Sequence, residues 1–103
     1  MADPMKIRAA EKDGVTTVRV LMAHERETGQ RKDASGALIP AWHITEIVAK
    51  AGDKTVLEAQ WGPAISKNPY LQFAFKGGKK GEKVTVTWTD NKGDTRTDEA
   101  TIS

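Results

Sequence analysis

Apolar and polar residues alternate over short runs, and this period of two is the feature that most constrains the fold of the chain. After Lys83, for example, the apolar positions are Val84, Val86 and Trp88, with threonines between them. Because successive side chains of a strand point to opposite faces, such a run predicts a strand with one buried face. No window with helical spacing competes with this pattern. The sequence therefore predicts an all-β protein.

Similar runs along the chain predict the other strands. Their apolar positions are Met5, Ile7 and Ala9; Val18, Val20 and Met22; Leu57, Ala59 and Trp61; and Leu71, Phe73 and Phe75. The Lys12-Asp13-Gly14 turn signal between the first two runs predicts a hairpin. Residues 42–50 carry apolar side chains on both parities, which predicts a strand that is covered on both faces.

The last run, from about Asp94 to Ile102, predicts a polar edge strand. It follows the segment DNKGD, in which Gly93 is expected to take the left-handed conformation of a short hairpin. On this strand we expect Arg96 and Asp98 to pair on one face. Seven short strands in 103 residues predict a single domain, residues 1–103. Its predicted fold is an immunoglobulin-like antiparallel β-sandwich of about seven strands without a disulfide.

The composition excludes several classes of function. The chain contains no cysteine, which excludes thiolate nucleophiles, iron-sulfur clusters and thiolate zinc sites within it. Its 16 basic and 14 acidic residues are interspersed and leave a net charge of +2, so we expect no concentrated basic face. There is no apolar run of the length that a signal peptide or a membrane span requires. We therefore expect neither nucleic acid nor a membrane as a partner.

The side chains that could support catalysis do not form a recognisable motif. His24 and His43 are two metal ligands where a site needs three or four, and their spacing matches no metal motif. We interpret both as structural residues, one at the end of a strand and one at the start of the next. The segment KGGKKGEK, residues 76–83, lacks the spacing of a phosphate loop and is interpreted as a turn. We expect no catalytic residue, no metal and no cofactor.

Two connections are unusually apolar for loops. They are WGPAISKNPYLQF, which contains Trp61, Ile65 and Tyr70, and GALIPAW, which contains Leu38 and Trp42. Rigid aromatic and aliphatic groups are typical anchors of protein interfaces, and prolines lower the entropy cost of ordering a loop. These five residues are therefore the candidate partner-binding residues. The alternative, that Trp61 and Tyr70 cap one end of the core, stays open.

Four longer segments carry a family resemblance that covers nearly the whole chain in the right order. They are VRVLMAHERETGQRKD, IPAWHITEI, QWGPAISKNPYLQFAFKG and WTDNKGDTRTDEATI. In them the chain closely resembles the SoxZ family, the cysteine-free subunits of the SoxYZ carrier of bacterial thiosulfate oxidation. No segment departs from the pattern of that family.

The resemblance implies a non-catalytic subunit that pairs with a SoxY-like subunit and presents its arm to other sulfur-oxidation enzymes, which it contacts transiently. The arm of the partner ends near the cysteine on which sulfur intermediates are carried. Because covalent carriage needs a thiolate and this chain has none, its own part must be non-covalent. The resemblance also implies the periplasm, reached by co-export with a signal-bearing partner. When isolated, the chain is expected to be able to form a homodimer.

The sequence admits two other interpretations. The segments PAWHITEI and QWGPAISKNP are weakly similar to iron-dependent superoxide reductases on a related sandwich, but such sites need several histidines and a cysteine. This chain has two histidines and no cysteine. The alternative function is a stand-alone β-sandwich module whose loops bind a small anion or a sugar.

Overall fold

The structure, a computed structural model, describes residues 4–24, 27, 29–62 and 68–103, which form seven strands in two antiparallel sheets. The strands are β1 (Lys6–Lys12), β2 (Val15–Leu21), β3 (Ile44–Ala51), β4 (Lys54–Gln60), β5 (Tyr70–Lys76), β6 (Lys83–Asp90) and β7 (Thr95–Thr101). One sheet has the order β1-β2-β5 and the other has the order β4-β3-β6-β7. The predicted all-β sandwich of seven strands is confirmed. None of the described residues lies in a helix long and apolar enough to cross a membrane.

The strand order matches a constant-type immunoglobulin sandwich except at the fourth strand. In the constant type the fourth strand joins the sheet of the first, second and fifth strands. Here β4 pairs with β3 from Glu46↔Gln60 to Ala51↔Lys54. Only Gly52 and Asp53 separate β3 from β4, and a loop of two residues joins neighbours in one sheet. The short loop therefore keeps β4 in the sheet of β3.

The core lies between the two sheets and is filled by the inward row of each central strand. Its members with at most 1% exposure are Val18, Val20, Met22, Ile44, Ile47, Ala49, Val84, Val86, Trp88 and Ile102. The apolar side chains of the edge strands β4 and β5, among them Leu57, Phe73 and Phe75, are only half-buried. The period of two thus determines which residues face the core, and the position of a strand within its sheet determines how deeply these residues are buried.

The prediction that residues 42–50 are covered on both faces is wrong. The register between β3 and β6 shifts between Ile44 and Glu46, as it does where a β-bulge inserts one extra residue. The shift turns both Ile44 and Ile47 inward although they have opposite parity, and it leaves Glu46 and Lys50 exposed. An irregular strand with one buried face therefore explains the mixed apolar pattern.

Left-handed residues form the two predicted tight turns. Asp13 and Gly14, with φ of 53° and 82°, link β1 to β2 in the two-residue form that the twist of a hairpin favours. Gly93 has φ of 87° in the turn between β6 and β7. Both predicted hairpins are confirmed.

One side of the sandwich is closed where β1 meets the end of the chain. Ser103 donates its backbone N–H to the carbonyl of Ala9 at 3.0 Å, and its own carbonyl accepts the N–H of Glu11 at 3.0 Å. On β7 the Asp98 carboxylate accepts Nε of Arg96 at 2.8 Å, which confirms the predicted pair, and the backbone N–H of Met5 at 2.9 Å. The Arg96 hydrogen bond is the main cause that lowers the pKa of Asp98, while partial burial opposes it.

The segment KGGKKGEK forms the connection between β5 and β6, as predicted. Thr16, which is fully buried, donates its hydroxyl to the carbonyl of Gly77 at 2.7 Å. Gly78 has φ of 84°, and a Cβ at this position would lie 2.3 Å from Oγ1 of Thr16. Gly81 has φ of 94° but open space around its missing Cβ. Gly78 is therefore needed for both conformation and space, and Gly81 for conformation alone.

Substitution of these two glycines separates the two requirements. Gly81→Ala should lower the free energy of unfolding by about 1 kcal/mol, the cost of a left-handed alanine. Gly78→Ala should cost about 1–3 kcal/mol more, because the new methyl group overpacks against Thr16. Urea denaturation of both variants measures the difference. Equal losses would contradict the close approach of Gly78 to Thr16.

Acid should remove the contribution of Asp98 to stability. A carboxyl whose pKa is lowered by folding stabilises the fold above its unfolded pKa of about 4, and this contribution is lost as the pH falls through the folded pKa. Asp98→Asn should therefore lower the melting temperature at pH 7, and the gap to the wild type should narrow below about pH 4. Glu99→Gln, an exposed neighbour, serves as the control and should change little at either pH. A gap for Asp98→Asn that stays constant down to pH 2.5 would contradict this role.

Candidate functional site

The described parts of three loops meet at one end of the sandwich, which we call the loop end. They are residues 22–43 between β2 and β3, residues 61–69 between β4 and β5, and residues 91–94 between β6 and β7. Backbone hydrogen bonds join them to one another or to adjacent strands: Asn68 donates to the carbonyl of His24 at 2.8 Å, and Asn91 to that of His43 at 3.1 Å. All five candidate partner-binding residues belong to these loops or to the strand start that follows them.

Asp90 is the centre of the loop end. It is the last residue of β6 and continues the inward row that includes Val86 and Trp88, so its side chain is fully buried. Its Oδ2 accepts Nε2 of His24 at 3.0 Å and Nε1 of Trp42 at 2.9 Å. Two side chains from the long loop are thereby fixed on the end of β6.

The second oxygen of Asp90 organises the following turn. Oδ1 accepts the backbone N–H of Lys92 and that of Asp94, both at 2.9 Å. Burial raises the pKa of the Asp90 carboxyl, but the hydrogen bonds from His24, Trp42 and these amides outweigh it, so the pKa lies below the usual aspartate value. Asp90 is therefore ionised at neutral pH and serves as an acceptor for four donors.

Aromatic rings enclose this carboxylate. The His24 ring packs edge-on against Trp42 at 5.3 Å and against Trp88 at 4.8 Å between ring centroids. From the solvent side, Nζ of Lys92 lies 4.2 Å from the centroid of a Trp42 ring, in cation–π geometry. We call Asp90, His24, Trp42 and Trp88 the Asp90 cluster.

Two asparagines hold the backbone next to the histidines. Oδ1 of Asn68 accepts the N–H of His24 at 2.9 Å, and Oδ1 of Asn91 accepts the N–H of His43 at 2.9 Å. Asn68 adopts a φ of 48°, a left-handed conformation that asparagine tolerates better than most residues. Reciprocal bonds of this kind satisfy backbone groups that the ends of the strands leave unpaired.

The histidines occupy the positions that the structural interpretation gives them. His43 directly precedes β3, and His24 follows β2 by three residues. Both are buried, and the ring of His24 contacts Asp90 rather than the other histidine. Within the described part of the chain, no three His, Cys, Asp or Glu residues lie close enough together to hold a metal ion.

The candidate partner-binding residues fall into two groups. Leu38 and Tyr70 are 59% and 58% exposed, whereas Trp42 and Trp61 are half-buried. Trp61 packs against the core, as the capping alternative expects for it, while Trp42 belongs to the Asp90 cluster. Ile65 lies outside the described residues. Binding by any of these residues stays a prediction.

Sequence reasoning missed Asp90, although the sequence contains a signal for it. Asp90 has the same parity as Val84, Val86 and Trp88, so the alternation places a carboxylate on the buried face. Its place in the DNKGD segment instead indicates a turn, because aspartate is a common turn residue. A charged residue on an inward position, followed by a turn and preceded by a tryptophan, was the evidence for a buried hydrogen-bond centre.

Comparison with known proteins identifies the family. A family model described as "Sulphur oxidation protein SoxZ" matches residues 5–101. The chain belongs to the SoxZ family. Membership supports a role as a carrier subunit in sulfur oxidation. A comparison with curated proteins gave no match.

Solved structures of similar fold come from several organisms. A hypothetical protein from Pyrococcus horikoshii is 16% identical with a TM-score of 0.62, and covers 99% of this chain and 89% of its own. A superoxide reductase (neelaredoxin) from Archaeoglobus fulgidus is 22% identical with a TM-score of 0.60, covering 99% and 90%. That from Ignicoccus hospitalis is 17% identical with a TM-score of 0.59, covering 99% and 82%. At these identities the likeness shows the shared sandwich fold alone.

The Asp90 cluster is expected to stabilise the loop end. Asp90→Asn keeps one acceptor oxygen but directs an amide group at donors, so it should lower the free energy of unfolding by about 2 kcal/mol. Asp94→Asn is the matched control, since the exposed carboxylate of Asp94 accepts the N–H of Thr95 through an oxygen that asparagine retains, and its effect should stay below about 0.5 kcal/mol. Urea denaturation at pH 7 compares the two. Equal stabilities of both variants would contradict the stabilising role of Asp90 at the loop end.

Proposed function

We propose that this chain is the non-catalytic subunit of a SoxYZ-like carrier and that it pairs with a cysteine-bearing SoxY-like subunit. Membership of the SoxZ family is the observation that carries this proposal. The chain has no thiol to which a sulfur intermediate could be attached. It acts by holding the partner and presenting the arm of the partner to the enzymes of thiosulfate oxidation.

The loop end supplies the candidate contact residues. Leu38 and Tyr70 expose large apolar surfaces on a rigid sandwich, and tyrosine is common among the residues that dominate binding energy. Trp42 is held by Asp90 and Trp61 by the core, so each presents only part of its ring. Pre-ordered aromatic groups bind with little loss of side-chain entropy.

The proposed place of action is the periplasm, which the chain would reach bound to a signal-bearing partner. Folding and pairing then precede export. Fractionation of cells that express the chain with and without the partner tests this proposal. Retention in the cytoplasm in the presence of the partner would contradict it.

Binding of the purified partner tests the function and the candidate residues together. The two chains should co-purify in equal amounts, and Leu38→Ala and Tyr70→Ala should each weaken binding by about 2 kcal/mol, or roughly thirtyfold, at unchanged melting temperature. Thr97→Ala, exposed on the other sheet, is the control and should bind as the wild type does. Calorimetric titration measures the affinities.

One result would argue against the proposed function, and another only against the candidate residues. A chain that stays a stable monomer beside the partner and binds a small anion instead would favour the stand-alone module. Wild-type affinity in both alanine variants would leave pairing intact but move the interface away from Leu38 and Tyr70.

A further inference from the structure

The outer face of the three-stranded sheet has an unusual composition. Its twelve positions form four cross-strand rows, which are Lys12–Val15–Lys76, Ala10–Thr17–Ala74, Arg8–Arg19–Gln72 and Lys6–Leu21–Tyr70. Eleven of the twelve residues are exposed, and Thr17 is half-buried. We call this surface the cationic face.

The cationic face carries five basic residues and no carboxylate, although the whole chain has 16 basic and 14 acidic residues. The expectation that no concentrated basic face exists is therefore wrong. The period of two places Lys6, Arg8 and Lys12 on one side of β1, and the register of β2 and β5 adds Arg19 and Lys76 beside them. Charges that are scattered along the sequence are thus collected across strands.

Two of these positive charges are neighbours across a strand pair. Arg8 lies directly opposite Arg19 in the antiparallel register, and like charges in this arrangement destabilise a strand pair. In the part of the chain that the structure describes, the ion pairs are made by other residues, among them Lys83 with Glu99 and Arg96 with Asp98. The isolated fold therefore gains nothing from the adjacent arginines.

Apolar groups are exposed on the same face. Of the four large hydrophobic residues exposed among those described, three lie here: Val15 at 40%, Leu21 at 41% and Tyr70 at 58%. Leu21 and Tyr70 are cross-strand neighbours. One of the two middle rows is built of Ala10, Thr17 and Ala74, so another protein can approach this part of the face closely.

The outer face of the other sheet is different and serves as an internal comparison. Its central strand β6 and its edge strand β7 present mainly threonine, and the Thr87 and Thr97 hydroxyls bond to each other at 2.9 Å. Its charges have both signs, and Lys83 and Glu99 pair at 3.0 Å. This is the composition of a solvated sheet face. The outer face of the four-stranded sheet is therefore suited to solvent, whereas the cationic face differs from a solvated sheet face.

We propose that the cationic face is a docking surface for an acidic, partly apolar face of the cysteine-bearing partner subunit. The identity of the partner rests on the proposed function, and the acidic character proposed for its face rests on the five basic residues and the lack of carboxylates on this one. Carboxylates of the partner relieve the repulsion between Arg8 and Arg19, and its apolar side chains cover Leu21 and Tyr70. Tyr70 is also a candidate contact of the loop end, so the two surfaces are continuous.

The charge of the face argues against a second copy of the chain, because stacking would bring two sets of five cations together. Its dimensions indicate how far the contact extends. Three strands about 4.8 Å apart and four rows about 6.8 Å apart cover roughly 400 Å², about half of what one partner contributes to a standard interface. Beside the face, a groove of about 590 Å³ runs between Arg8, Lys12 and Arg19 and the end of β7 at Ala100 and Thr101. This groove extends the contact toward β7.

Charge reversal on the two sheets provides a matched experiment. The double variant Arg8→Glu/Arg19→Glu alters the cationic face, and Lys50→Glu/Lys54→Glu makes the same change in net charge at exposed positions of the other sheet. Surface plasmon resonance on the immobilised partner subunit should show association at least tenfold slower for the first variant and less than threefold slower for the second. Binding of the wild type should weaken several-fold between 0.05 and 0.5 M NaCl.

The variant Arg19→Gln distinguishes a role of Arg19 in recognition from a purely structural role. Removing the repulsion from Arg8 should raise the melting temperature of the free chain by a few degrees at most, while binding to the partner weakens. A variant that is more stable and binds less tightly would show that Arg19 contributes to recognition rather than to stability. A loss of stability together with unchanged binding would contradict the proposal.

The outcomes separate this inference from the proposed function. If the wild type does not bind the partner, both fail. If the wild type and both double variants bind equally well, pairing stands and the cationic face is not the docking surface. Binding of a DNA duplex at 0.15 M NaCl that only Arg8→Glu/Arg19→Glu abolishes, with partner binding unchanged, would assign the face to nucleic acid and overturn the proposal.

Discussion

One buried carboxylate organises the end of the sandwich on which the candidate contacts depend. Asp90 occupies a core position at the end of β6 and accepts hydrogen bonds from His24, Trp42 and two turn amides. An unpaired charge at this depth would cost several kcal/mol, so the four donors must be in place for the fold to tolerate it. The long loop between β2 and β3 is thereby tied to the turn between β6 and β7.

In this arrangement the side chains of His24 and Trp42 stabilise the fold at the loop end. The ring of His24 contacts a carboxylate and two aromatic rings, which fixes its orientation. Trp42 contributes its N–H to the same carboxylate and lies beneath Lys92. Leu38 and Tyr70 remain exposed at the loop end, and we propose that they contact the partner. Such a surface fits a subunit that binds and positions another chain.

Much of the fold follows from local sequence. Alternation identifies the inward residues of β2 and β6, and Asp13-Gly14 identifies the first hairpin, because both features depend only on neighbours along the chain. The bulge in β3 does not follow, since it is defined by the register with β6. The neighbouring positions of Arg8 and Arg19 likewise exist only once β1 and β2 are paired. Interactions across strands are thus the part that local pattern leaves undetermined.

The candidate site was predictable to a similar extent. Apolar loop composition selected Leu38 and Tyr70, which are exposed, but also Trp42 and Trp61, which the fold partly uses. Loop composition cannot distinguish an anchor for a partner from an anchor for the chain itself, because both are large and apolar. Asp90 was overlooked since its parity and its turn context indicated different environments.

We propose a division of labour in which this chain contributes binding and its partner contributes the thiol. Intact-mass spectrometry of both chains after incubation with thiosulfate and the thiosulfate-attaching enzymes measures this most directly. The account predicts a sulfur adduct on the partner, an unmodified mass for this chain, and no consumption of thiosulfate by this chain alone. A covalent sulfur adduct on this cysteine-free chain, or turnover in the absence of the partner, would contradict it.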